Sequence, residues 1–247
     1  MIDFYQKKNF KFSDLNIYQE NIAIIGEHYS GKTEFAKRKI VKMLIKNADV
    51  KLWVWDHQGR FKDLFPENQI CYYLDELSEG TQCYLPESKS EEHFSKFCKL
   101  ATDQYNLHVV LDELHKYMSA QRMGEQLSRL IRETAANSGV SYTAIWQRAS
   151  EGHKAVHSNA RHKFLFDFDV GDQDRYLHIF GKNADLFMEM EQRKYFSECK
   201  ECEEPFKRHL KNKTKHVFET KYPMLDRYSF IYKDDKQRSS VVYNGGF

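Results

Sequence analysis

The chain has little of what would place it outside ordinary globular proteins. Its 247 residues include only four prolines and eleven glycines. No internal repeat, low-complexity linker or long Pro/Gly/Ser loop divides it, which excludes collagen-like, linker-dominated and solenoid architectures. Cysteines number five, at positions 71, 83, 98, 199 and 202. An odd count without a secretion signal argues for reduced thiols rather than a disulfide framework. No apolar run approaches the roughly 18–20 residues needed to span a bilayer, and the N-terminus has no signal-peptide core, so the chain is expected to be soluble and intracellular. A formal charge of +2 is too small to announce nucleic-acid binding; any such contact must be a local patch, multiplied by assembly. What is abundant is core material, 41% apolar and 15% aromatic, enough for one α/β core with appendages.

The most informative stretch is Gly26-Glu27-His28-Tyr29-Ser30-Gly31-Lys32-Thr33, which spells G-x-x-x-x-G-K-T directly after the apolar run Ile22-Ala23-Ile24-Ile25. This is a phosphate-binding loop. Glycines let the chain turn its backbone N–H groups inward around a triphosphate, Lys32 reaches the β/γ oxygens, and the Thr33 hydroxyl is a Mg²⁺ ligand. Downstream, Phe35, Ala36, Ile40, Val41, Leu44 and Ile45 recur at helical spacing, so the loop lies between a strand and a helix whose N-terminus faces the anion.

A second apolar run, Leu107-His108-Val109-Val110-Leu111, ends in Asp112-Glu113. In that pattern the first carboxylate holds Mg²⁺ and the second polarises the attacking water, making Asp112 the metal-side acid and Glu113 the base. Such a pair is also a common helix start; the phosphate loop upstream favours the catalytic reading. A third strand, Ser141-Tyr142-Thr143-Ala144-Ile145-Trp146, ends in Gln147-Arg148. Gln147 is the candidate to hydrogen-bond the γ-phosphate or the water.

With these motifs in place, the chain resembles the FtsK-HerA superfamily of DNA-pumping ATPases over about residues 20–190. Lys51-Leu52-Trp53-Val54-Trp55-Asp56-His57-Gln58-Gly59-Arg60-Phe61 is similar to the second HerA strand and its Asp-Pro-His-Gly-Glu-Phe-like turn. The stretch from Leu77 to Pro86 resembles a short hairpin before the acidic strand. Trp146-Gln147-Arg148-Ala149-Ser150 resembles the family's Gln-Arg-Pro-Ser segment, with Ala149 where proline is usual. Ser158 to Phe166, followed by Asp174-Arg175-Tyr176-Leu177, resembles the closing strand and helix. The resemblance implies an α/β P-loop NTPase of the RecA/ASCE type, with a mainly parallel sheet flanked by helices. It also implies ATP and Mg²⁺ as ligands, double-stranded DNA as partner, and a homo-oligomeric ring, taken as a hexamer.

Rings of this family complete each site with a neighbour's arginine, placed about three residues ahead of a glycine. Here Ala136 stands at that distance from Gly139. The remaining candidates are Arg132, Arg129, Arg148 and Arg161, and Arg132 ranks first because a shift of one helical turn keeps it on the same face.

The tail alternates polar and apolar residues over Tyr228–Tyr232 and Ser239–Tyr243 around a Lys-Asp-Asp-Lys-Gln turn, predicting a hairpin within 223–247 that adds to a sheet edge or a subunit contact. Residues 187–222 read as an insertion. They carry Cys199 and Cys202, with His209 and His216 following. These are donors of the type zinc takes, but the histidine spacing is looser than in zinc fingers, and surface thiols are the favoured reading. Lys207, Arg208, Lys211, Lys213 and Lys215 in the same stretch read as a solvated basic loop rather than a DNA contact.

Only about 20 residues precede the Ile22 strand, which leaves no room for the N-terminal barrel of cellular HerA. The short form most resembles viral genome-packaging ATPases, implying host cytoplasm or virion as location and capsid or membrane proteins at a virion vertex as further partners. The alternatives are a HerA-like motor in DNA processing or conjugation, and an ATP-switched assembly protein that does not pump DNA. The set Lys32, Thr33, Asp112, Glu113 and Gln147 favours hydrolysis over a passive switch, and no Asn-Lys-x-Asp guanine-reading motif is present, so ATP is expected over GTP.

Overall fold

The computed structural model describes residues 5–6, 20–46, 49–77, 80–132, 138–166, 170–181, 184, 187, 229–236 and 239–243. In chain order, β1 (Tyr5–Gln6) precedes β2 (Ile22–Ile25), the strand that enters the phosphate loop. The helix after the loop starts as α1 (Lys32–Phe35), widens into a π-helical segment at Ala36–Val41 and ends as α2 (Lys42–Ile45). Then come β3 (Lys51–Trp55), β4 (Ile70–Cys71), β5 (Gln82–Tyr84), α3 (Glu91–Thr102), β6 (Leu107–Leu111) and α4 (Glu125–Arg132). The remaining elements are β7 (Ser141–Trp146), α5 (Lys154–Asn159), β8 (His162–Leu165), α6 (Gln173–Phe180), β9 (Phe230–Asp234) and β10 (Ser239–Tyr243).

All ten strands form one sheet in the order β1-β10-β9-β8-β2-β7-β6-β3-β5-β4. Pairing is parallel except for β8 with β9 and β9 with β10. The strand leading to Gln147 thus lies between the phosphate-loop strand and the acidic strand, the RecA/ASCE arrangement the resemblance implies. Every position of β2, β6 and β7 is buried, because helices or loops cover both sheet faces and alternation with water is lost. Successive side chains still separate by face. Ala23, Ile25, Trp53, Trp55, Leu111 and Trp146 pack with α3 and α4 in one layer, while Ile22, Ile24, Val54, Val110 and Phe164 pack with the phosphate-loop helix in the other. In the second layer Phe35 meets Phe164, Phe166 and Phe230 at centroid distances of 4.8, 4.9 and 5.3 Å, anchoring the helix behind the loop to β8 and β9.

Two expectations are refined. The C-terminal hairpin forms, but its first strand runs two residues later than its alternation indicates, and it extends the parallel sheet by pairing Leu165 with Ile231 and Phe164 with Tyr232. Its outer edge is itself paired, by β1. The stretch from Leu77 to Pro86 does not make the expected hairpin among its described residues: it holds one strand, β5, running parallel to both β3 and β4. Its partners come from earlier in the chain, so nothing local to the stretch reveals them.

A histidine buried in the sheet is paired with hydroxyls of the next strand. His108 on β6 is wholly buried, with its ring nitrogens 2.7 Å from Ser141 Oγ and 2.8 Å from Thr143 Oγ1 on β7. Burial holds it neutral by pushing its pKa down to about 3. Among the described residues no helix is long and apolar enough to cross a membrane. Ala136, Cys199, Cys202, His209, His216, the basic residues of 207–215 and, Phe187 apart, the 187–222 insertion lie outside the described residues.

Candidate active site

The functional groups gather at the carboxyl ends of the central strands, where parallel α/β sheets place their ligand sites. Backbone hydrogen bonds beyond the strands keep these ends in register. Gly26 N–H donates to Gln147 O (3.0 Å), Asp112 N–H to Trp55 O (3.2 Å), and Asp56 N–H to Tyr84 O (2.9 Å). The exits of β2, β7, β6, β3 and β5 are therefore one continuous rim.

The phosphate loop leaves β2 at Gly26, whose φ is 157°, and closes at Gly31, with φ 101° at the helix start. The Gly31 value lies in the region that favours a residue without Cβ. Lys32 is buried and its Nζ donates to Glu27 O at 2.8 Å, folding the side chain over the loop. Burial pushes its pKa down to about 8, opposed by the nearby Glu113 and Asp112 carboxylates. A cavity of about 530 Å³ opens over the loop, lined by residues from His28 to Glu34, with Lys37 and Arg60. Tyr29 stands almost fully exposed at its mouth.

Asp112 and Glu113 follow β6 with different geometries. Asp112 is 1% exposed, and neither carboxylate oxygen has a well-formed hydrogen bond. Burial raises its pKa to about 7, helped by the Glu113 and Asp56 charges and opposed by Arg60 and the Glu113 backbone N–H. A buried carboxylate without partners is costly unless a cation meets it. With the Thr33 hydroxyl, it forms the hard-oxygen donor set that suits Mg²⁺, so the residues fit that ion. Glu113 has φ 54°, ψ 38°, a conformation rare outside glycine, and such backbone strain clusters at functional sites. Its Oε2 accepts a hydrogen bond from Gln147 Nε2 at 3.3 Å and lies 3.5 Å from His115 Nε2; its Oε1 lies 3.8 Å from Arg60 Nη1. The structure therefore brings Lys32, Asp112, Glu113 and Gln147 together, with Thr33 joined to them through Arg60, whose Nη1 donates to Thr33 Oγ1 at 3.2 Å.

Gln147 is held by what lies beneath it. A Cβ built on Gly152 would stand 2.6 Å from Trp146 Nε1, so only glycine allows that loop to close against the indole immediately before Gln147.

The arginine candidates separate clearly. Arg161 pairs with Asp234 at 3.2 Å and with Glu20 at the start of β8, the opposite end of the sheet from the loop. Arg148 lies 3.7 Å from Asp172. Arg129 and Arg132 project exposed from α4, and neither lines the loop cavity of its own chain.

Sequence reading missed three contributors. Arg60 reaches into the site from the turn after β3. Asp56 accepts hydrogen bonds from the N–H groups of Arg60 (2.8 Å), Phe61 (2.7 Å) and Lys62 (3.2 Å), and so fixes that turn. His115 flanks Glu113, with its pKa lowered chiefly by burial. Arg60 and Asp56 sit in the turn that carries the family resemblance, which was the available signal; for His115 it was the two-residue spacing from Glu113.

No protein-family model matches the sequence, and no curated protein matches it. Solved structures do. The genome packaging NTPase B204 from Sulfolobus turreted icosahedral virus 2, in complex with ATP-gammaS, superposes with a TM-score of 0.65 at 12% identity, covering 94% of this chain and 100% of that one. B204 from Sulfolobus turreted icosahedral virus, described as a DNA-packaging ATPase, gives 0.61 at 14% identity over 94% and 99%. The pCW3 conjugation coupling protein TcpA with ATPgS gives 0.51 at 14% identity over 94% of this chain and 62% of that one. The chain thus shares its fold with these three proteins.

Proposed function

We propose that the chain is an ATPase that drives double-stranded DNA, as a motor packaging a viral genome into a preformed capsid. The observation that carries hydrolysis is the Glu113–Gln147 pair facing a phosphate loop whose Lys32 lies among the same carboxylates. What supports packaging is a fold shared along nearly the full length of both chains with a packaging NTPase.

In this reading the chain is one P-loop domain, and Gly26 to Thr33 wrap the triphosphate with inward N–H groups. Lys32 neutralises β/γ oxygens; its ammonium is held by Asp112 and Glu113 against the pull of burial. Thr33 and Asp112 would hold Mg²⁺, which would supply charge neutralisation along the phosphates. Glu113 orients and polarises the attacking water, and Gln147, hydrogen-bonded to the same carboxylate, orients it further. His115 and Arg60 shield the Glu113 charge from both sides. A ring, taken as a hexamer, supplies Arg132 from the neighbouring subunit. The experiment is ATP turnover by the purified chain with and without duplex DNA, alongside the mass of the assembled particle. DNA-stimulated turnover lost in Lys32→Ala supports the reading; turnover indifferent to duplex DNA moves it to an assembly ATPase. The TcpA likeness makes a conjugation-type DNA motor the second reading.

A further inference from the structure

Arg60 is not among the residues that the phosphate-loop and acidic-strand motifs demand, yet it stands at the centre of the site. Its Nη1 donates to Thr33 Oγ1 at 3.2 Å and lies 3.8 Å from Glu113 Oε1. A group that spans the metal-side hydroxyl and the base occupies the corner at which a γ-phosphate meets the loop, because those two side chains bracket the γ-phosphate in P-loop chemistry. The guanidinium also lines the loop cavity beside Lys32, Thr33 and Lys37.

Its backbone is fixed for the task. Both carboxylate oxygens of the buried Asp56 hold the turn, one on the Arg60 N–H and the other on Phe61 and Lys62. The Phe61 side chain is fully buried. Gly59, at φ 71°, lets the chain double back, and a Cβ there would meet Leu85 at 3.7 Å. The Arg60 side chain remains 39% exposed. Among the described residues its side-chain contacts come from Nη1, so Nη2 and Nε keep donor capacity for a planar oxyanion, the geometry at which arginine exceeds lysine.

We propose that Arg60 is a γ-phosphate arginine supplied in cis: its guanidinium hydrogen-bonds a γ-oxygen of ATP bound in its own subunit, distinguishes ATP from ADP, and ties the γ-phosphate to Glu113. This rests on the ATPase reading and adds the residue that reports which nucleotide is present. The charges facing the guanidinium are Glu113 and Asp112, which attract it, and Lys32, which repels it, while Lys37 is paired with Asp63 at 2.7 Å. A dianionic γ-phosphate therefore eases the repulsion between Arg60 and Lys32, whereas ADP leaves the two cations without it.

The test measures binding of ATPγS and of ADP to the full chain, together with turnover, for wild type, Arg60→Ala and Arg60→Lys. A lost charge-assisted hydrogen bond predicts that Arg60→Ala weakens ATPγS by roughly ten- to hundredfold and leaves ADP within about twofold. Retained ADP binding also shows that the variant is folded. Arg60→Lys recovers part of the ATPγS affinity, since an ammonium supplies charge without the fork. Equal loss for both nucleotides, or no loss, overturns the proposal. Mixing Arg60→Ala with Glu113→Gln subunits tests the cis assignment: a cis arginine leaves every mixed site defective, while recovered turnover shows action in trans and overturns it. A wild-type chain that binds neither nucleotide sinks the ATPase reading itself, an outcome distinct from normal binding by Arg60→Ala.

Discussion

Gln147 donates its side-chain Nε2–H to Glu113 Oε2 across 3.3 Å, joining the end of β7 to the strained residue after β6. In the proposed mechanism the bond makes Gln147 a positioning group for Glu113 as well as a candidate for the water. Glu113→Gln should lower kcat by about 10²–10⁴-fold while bound ATP persists, because the general base acts in the chemical step. Gln147→Ala removes one hydrogen bond and should cost about tenfold in kcat. Lys32→Ala should instead weaken nucleotide binding. Steady-state kinetics with a trapped-nucleotide assay separates the three, and undiminished turnover in Glu113→Gln removes it as the base.

Asp112 offers a stability test of the proposed metal site. Its pKa is raised to about 7 from an ordinary 3.8, so its favourable neutral form is fully present below the ordinary value and is lost as pH rises through 7. Asp112→Asn keeps the shape and removes the charge. Even a fraction of the shift is worth about 1–2 kcal/mol, or about 2–8 °C in Tm for a chain of this size. The variant should therefore melt higher than wild type at pH 8 without Mg²⁺, match it near pH 4, and hydrolyse no ATP. Equal melting at pH 8 would show that Asp112 is not the charge held in wait for a cation.

That the phosphate loop, the acidic pair and Gln147 lie at neighbouring strand ends was legible in the sequence, because buried β-branched runs mark those ends. The C-terminal hairpin was legible for a similar reason: alternation and turn residues lie within one short stretch. Pairings set at long range were not. The strand Gln82–Tyr84 takes parallel partners from β3 and β4, and β1 pairs with β10, more than 230 residues along the chain. Arg60 escaped because its role depends on the Asp56-held turn, and an arginine after a glycine has no such meaning by itself.

Acid should destabilise the fold through its buried and half-buried histidines. His108 is lowered to about 3, and His57 and His157 to about 4, with burial the largest cause in each. Folded values below the ordinary 6.5 mean that the unfolded chain takes up protons first. The stability is present above pH 6.5 and is lost as pH falls towards 4, while Asp112 works in the opposite sense. Tm recorded from pH 7.5 to 4.5 should fall, and His108→Gln should flatten part of that fall. A Tm that rises on acidification would reverse the assignment.

Arg132 stands exposed at the end of α4 and away from its own loop cavity, as a residue serving a neighbour must. If it completes the adjoining site, Arg132→Ala alone should lose about 10³-fold in turnover. Mixed with equal wild type, it should hold the ensemble below half activity, because each site draws on two chains. Normal turnover by the pure variant would pass the role to Arg129 or Arg148, since Arg161 is committed to Asp234 and Glu20.

The substrate prediction turns on charge. A net +2 per chain is nearly neutral, so a ring that threads duplex DNA must do so with a few cations per subunit aimed at phosphates, which carry no sequence information. Affinity for random duplex DNA should then fall steeply with salt, each phosphate contact adding about 0.9 to the slope of log K against log salt, and change little with sequence. ATPase stimulation across a salt series, with single-stranded DNA and RNA as competitors, reads both properties at once. Stimulation that depends on sequence would point to base contacts instead. A hydrolytically active oligomer that duplex DNA neither binds nor stimulates at low salt would leave the fold and the ATPase site standing and remove DNA as the cargo.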